Sequence, residues 1–69
     1  MLNLIKWGGV EMALPMDNFL LLSVVNTKLR DYYINLDALC DELDEDKSNI
    51  ISRLASVGYS YDETVNQFV

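Results

Sequence analysis

Sixty-nine residues make one domain, and a hydrophobic share of 51% supplies a core and is too high for an intrinsically disordered chain. The net charge is −6, and the five basic residues Lys6, Lys28, Arg30, Lys47 and Arg53 form no patch, which argues against nucleic acid and against an anionic membrane surface. Histidine is absent, so the Ser-His and Cys-His nucleophile pairs and the usual zinc sets are missing, and the lone Cys40 precludes an internal disulfide, which fits a reducing, cytoplasmic setting.

Residues 1–13 differ from the rest. Gly8 and Gly9 interrupt any helix, and no periodic pattern runs through them. They read as a leader or as an apolar arm that docks through Leu4, Ile5 and Trp7. In the leader reading Met12 is the natural start. Gly8-Gly9 then derive from GGNGGN shortly upstream of the Met12 codon, which is compatible with a purine-rich ribosome-binding site. The apolar block Leu2–Ile5 is too short for a secretory signal. The longest apolar run, Phe19–Leu22, resumes after Ser23 with Val24 and Val25, far short of the roughly 20 residues of a membrane span.

Residues 14–69 read as a single helical domain. Leu14-Pro15 marks its boundary, because proline disfavours helix at the preceding residue. Asp17 or Asn18 caps a helix near 17–33. One face, with Leu22, Val25, Leu29, Tyr32 and Tyr33, is expected to cover the following helix pair. Phe19, Leu20, Leu21 and Val24 point elsewhere, and Ser23, Thr27, Arg30 and Asp31 make a polar strip. A helix this apolar on all sides is usually covered on several of them. The cover comes from the arm, the C-terminal segment or a second copy. A homodimer through Phe19, Leu20, Leu21 and Val24 is the expectation.

Two short amphipathic helices follow, near 36–43 and 47–57. Leu36, Leu39, Cys40 and Leu43 share one face at i, i+3, i+4 and i+7, with Asn35 as N-cap and Asp37 and Asp41 on the solvated side. Cys40 therefore reads as a buried structural thiol. Ile50, Ile51, Leu54 and Val57 repeat the stripe, Asp46 caps it, and Gly58 ends it. The order is that of a helix-turn-helix, with Lys47, Ser48, Asn49, Ser52, Arg53 and Ser56 facing out. A DNA-binding regulator using Lys47, Asn49, Ser52 and Arg53 is therefore the alternative function. Two features oppose it: the turn has Asp44 and Glu45 where glycine and an apolar residue are common, and residues 37–46 carry six acidic residues and no basic one.

The acidic turn is no calcium loop. Counting from Asp44, an EF-hand needs glycine at the sixth position and glutamate at the twelfth, where Asn49 and Ala55 stand. Asp41 and Glu42 have no convergent polar set around them and read as surface residues, and the four tyrosines lack the interleaved Lys and Arg of a base-stacking surface. No catalytic residue, cofactor or metal is expected.

Tyr59 and Tyr61 alternate ahead of the turn-forming Asp62-Glu63-Thr64, and Asn66–Val69 is placed to return as a second strand. The fold class is thus all-α: a small three-helix bundle, helix-turn-helix-like, with a short C-terminal β-hairpin or extended tail. Leu14-Pro15, Asp17, the run Leu21–Asn26, Lys28–Asp31, Tyr33, Leu36-Asp37, Leu39-Cys40, Leu43 and the closing Gly58-Tyr59, Tyr61-Asp62 and Asn66-Gln67-Phe68 give residues 14–68 a further property. This pattern resembles a family of short bacterial proteins catalogued as domain of unknown function 4250. The resemblance implies no activity, ligand or catalytic residue, and it favours Met12 as the start, since similar proteins begin close to the Leu-Pro pair. The expected function is a non-enzymatic module for self-association or for binding another protein.

Overall fold

The computed structural model describes residues 14–69, and the expectations for residues 1–13 lie outside that span. Three helices form, α1 (Asn18–Asp31), α2 (Leu36–Leu43) and α3 (Lys47–Ala55), followed by the strands β1 (Tyr61–Asp62) and β2 (Gln67–Phe68). The expected three-helix bundle with a C-terminal hairpin is the fold.

Local chemistry sets the boundaries. The Asp17 carboxylate accepts from the backbone N–H of Phe19 and Leu20 at 2.8 and 3.2 Å, so Asp17 rather than Asn18 caps α1. Asn35 caps α2 by accepting from Ala38 N–H at 2.8 Å, and Asp46 caps α3 by accepting from Ser48 N–H at 3.0 Å. At the end of α2, Asp44 takes the left-handed conformation at φ 56 and ψ 46. Glu45 N–H then reaches back to the Cys40 carbonyl at 2.9 Å, closing a Schellman turn. Gly58, at φ 91, closes the chain after α3 in the same way, with Tyr59 N–H on the Leu54 carbonyl at 2.9 Å. That closure ends α3 at Ala55, short of the expected residue 57.

Ten side chains make the core: Leu21, Val25 and Leu29 from α1, Leu36, Leu39, Cys40 and Leu43 from α2, Ile50 and Leu54 from α3, and Phe68 from β2. The α2 stripe is as expected. The α1 stripe is so in part: Val25 and Leu29 are buried and Tyr33 packs against the core, as expected. Leu21 belongs to the core rather than the outward face, Leu22 is half-buried at its margin, and Tyr32 is 74% exposed. A helix apolar on all sides leaves its buried face undetermined by pattern alone; here Phe68 and the hairpin pack on α1 and shift the buried line to residues 21, 25 and 29. The helix also stops at Asp31, because Asn35 needs an extended backbone to cap α2 and the chain must leave the helix before it. Ile51, expected in the α3 stripe, is 38% exposed. Cys40 is buried as expected; burial, and then the Asp37 carboxylate, push its thiol pKa up.

The hairpin pairs Tyr61 with Phe68 and Asp62 with Gln67, antiparallel. Ser60 and Val69 exchange two backbone hydrogen bonds at 3.0 and 2.9 Å just outside it. Two strands this short are marginal alone. Side-chain amides hold them to α1.

Candidate association surface

Three exposed apolar side chains lie on the outer face of α1 or just ahead of it, while Tyr32, Ile34, Ile51, Val65 and Val69 are exposed elsewhere. Met16, Phe19 and Leu20 are 94, 61 and 59% exposed. Of the four residues assigned to an interface by sequence, Phe19 and Leu20 stand in solvent, Val24 is half-buried beside them, and Leu21 is fully buried in the core. Ser23 and Thr27 extend the same face, exposed and small. Between residues 17 and 27 the one charge is Asp17, whose carboxylate is occupied by the helix cap. Close approach of another apolar face therefore meets little charge here.

Arg53 anchors the start of this face. Its guanidinium donates to the Asn18 side-chain carbonyl at 2.8 Å and to the Pro15 and Met16 backbone carbonyls at 2.6 and 2.8 Å. Asn18 donates in turn to the Ser56 hydroxyl at 3.0 Å, and Ser56 donates to the Arg53 carbonyl at 2.6 Å. The ring of bonds ties the α1 start to the α3 end. Arg53 was expected to face outward from α3; it is half-buried and turned to α1 instead. The reason is the set of backbone carbonyls that Pro15 and Met16 present there, which a forked guanidinium matches better than a single ammonium.

The other nucleic-acid positions are split. Asn49 and Ser52 are exposed. Lys47 pairs with Asp37 at 2.7 Å, which raises its pKa. Asp37, Asp41, Glu42, Asp44 and Asp46 are exposed around the same helix pair. A cleft of about 290 Å³ opens beside Lys47, lined by Asn35, Leu36, Asp37, Tyr61 and Glu63. Its charges are of both signs, with two carboxylates beside the one ammonium. Among the described residues no group of three His, Cys, Asp or Glu side chains is arranged to hold a metal.

Sequence reasoning missed a polar network under the hairpin. Asn26 donates to the Phe68 carbonyl at 3.0 Å and accepts from Phe68 N–H at 2.8 Å, as a neighbouring strand would. Asn66, in the left-handed region at φ 55, donates to the Leu29 and Tyr33 carbonyls at 3.0 and 2.9 Å. Its side-chain oxygen accepts from the Tyr61 hydroxyl at 2.6 Å, which itself accepts from Leu36 N–H at 3.2 Å. Gln67 donates to the Asn26 carbonyl at 2.9 Å. The available signal was Asn26, a residue disfavoured inside helices yet placed next to Val25 on an apolar helix.

The family model described as Domain of unknown function (DUF4250) matches residues 15–68. The chain belongs to this family. The DUF4250 match takes in all three helices and the hairpin. Its Asn66-Gln67-Phe68 segment spends its side chains on α1 and on the core, and Gly58 spends its freedom on a positive φ, so these residues of the DUF4250 domain serve the fold. No curated protein and no solved structure matches the chain.

Proposed function

We propose that this domain is a non-enzymatic self-association module whose two copies pair through the outer face of α1. The observation that carries the reading is the exposure of Met16, Phe19 and Leu20 outside a core that closes without them. A second copy suits this face for an electrostatic reason. The chain carries −6, and two copies repel over most of their surface, but residues 18–27 are uncharged. A helix face on which Phe19 and Leu20 are followed by the small Ser23 and Thr27 can meet its own image across a two-fold axis. The small size adds a motive, since a domain of about this length buries only about 60% of its unfolded surface.

The interface residues are Met16, Phe19 and Leu20, with Val24 at the margin. Leu21 is left out. Sedimentation velocity tests the reading. The parent should run as a dimer at micromolar concentration, and Phe19→Glu with Leu20→Glu should run as a folded monomer. A monomeric parent defeats it, whether or not another protein binds the same face. No helix among the described residues is long and apolar enough to cross a membrane.

Binding of DNA through α3 has less support. Lys47 and Arg53 already hold Asp37 and the α1 start, and five exposed carboxylates surround the helix pair. No mobility shift is expected with duplex DNA at low salt, where phosphate contacts are strongest.

A further inference from the structure

We infer that Arg53 is a positioning residue for the α1 association surface: it makes no contact with the second copy, but holds Pro15, Met16 and Asn18 so that the apolar face is presented already ordered. The inference rests on the self-association proposed above and adds the device that prepares it.

Met16 is the most exposed apolar side chain described, and it precedes the helix. No helical hydrogen bond of its own carbonyl fixes it; Arg53 does, at 2.8 Å, together with the Pro15 carbonyl at 2.6 Å. The Asn18 and Ser56 side chains complete the ring, so the α1 start and the α3 end move as one piece. An interface built on a loose segment must order that segment on binding, and affinity falls by that cost. Arg53 orders it beforehand. Lysine keeps the charge but cannot reach three oxygens in one plane.

The test uses the full chain and three variants: Arg53→Lys, Arg53→Ala and Asn66→Ala. Dimer dissociation constants come from sedimentation equilibrium well below the melting temperature, and amide exchange is followed at residues 16–20. Arg53→Lys and Arg53→Ala should each keep the helical circular dichroism, exchange faster at residues 16–20, and dissociate at a constant raised by about tenfold. Asn66→Ala lowers the melting temperature by loosening the hairpin and should leave the dissociation constant unchanged, which separates positioning from general stability. Leu20→Glu should abolish the dimer, and in that monomeric background Arg53→Lys should still exchange faster at residues 16–20 than Leu20→Glu alone, so that the loosening is read without dissociation. If Arg53→Ala does not fold, Arg53→Lys alone decides. A parent dimer with an unchanged constant in Arg53→Lys overturns the inference and leaves the proposed function standing. A weakened dimer with unchanged exchange overturns it too, because Arg53 would then touch the partner. A monomeric parent overturns both.

Discussion

Leu20 and Leu21 are neighbours in sequence with opposite surroundings, one 59% exposed and the other fully buried. Leu21→Ala should cost about 2–5 kcal/mol, as truncated core leucines do, whereas Leu20→Ala should stay within about 0.5 kcal/mol in the monomer. Urea unfolding at low protein concentration measures both. Asn66→Ala leaves the Leu29 and Tyr33 carbonyls and the Tyr61 hydroxyl without their partner. A loss of about 1–3 kcal/mol is expected, read as a lower melting temperature by roughly 4–8 °C per kcal/mol in a domain of this size. At Asp44, φ 56 is a conformation that glycine adopts without strain. Asp44→Gly should therefore stabilise the turn by about 0.5–1 kcal/mol; a drop in melting temperature would count against that view of the turn. The two bonds that Asn66 donates were not legible in the sequence, because their acceptors are carbonyls more than thirty residues away, and no periodicity encodes a side chain that serves another element's backbone.

At the scale of elements, what the sequence reveals depends on whether the cause is local. Asn35, Asp46 and Gly58 act on residues within a few positions, and all three were readable. The 36–43 helix came out with both ends in place for that reason. The orientation of α1 was not readable, because apolar residues surround its first half and the hairpin decides which of them are covered. Nor was the inward turn of Arg53, which depends on carbonyls 38 and 37 residues away in the sequence. The α3 cap gives a pH prediction. Hydrogen bonds from the Ser48 hydroxyl, and then from its backbone N–H, hold the Asp46 carboxyl below its usual pKa. A depressed folded pKa contributes stability that is fully present above the unfolded value of about 3.9 and disappears as pH falls through the lower folded value. Urea unfolding across that acid range should show the parent losing stability more steeply than Asp46→Asn, which keeps a cap and loses the titration. Equal slopes would mean that the cap contributes nothing through its charge. Asp31, held low by its hydrogen bond to Arg30, titrates in both proteins and cancels in the comparison.

At the scale of the whole molecule, the described chain divides its surface in two. The α2–α3 side is acidic and its two cations are engaged; the first half of α1, residues 18–27, carries no charge and exposes Phe19 and Leu20, while Lys28, Arg30 and Asp31 charge its end. Like-charged copies meet at least cost along that uncharged half. An association in the micromolar range corresponds to about −8 kcal/mol, within reach of a few apolar anchors on each copy. The measurement that tests this most directly is the backbone amide spectrum followed through dilution across the micromolar range. Resonances of Phe19, Leu20, Ser23 and Thr27 should shift together and fit one monomer–dimer equilibrium, while those of Asn49 and Ser52 stay in place. A spectrum unchanged by dilution, or changes centred on α3, would contradict the assignment of α1 as the face that joins two copies.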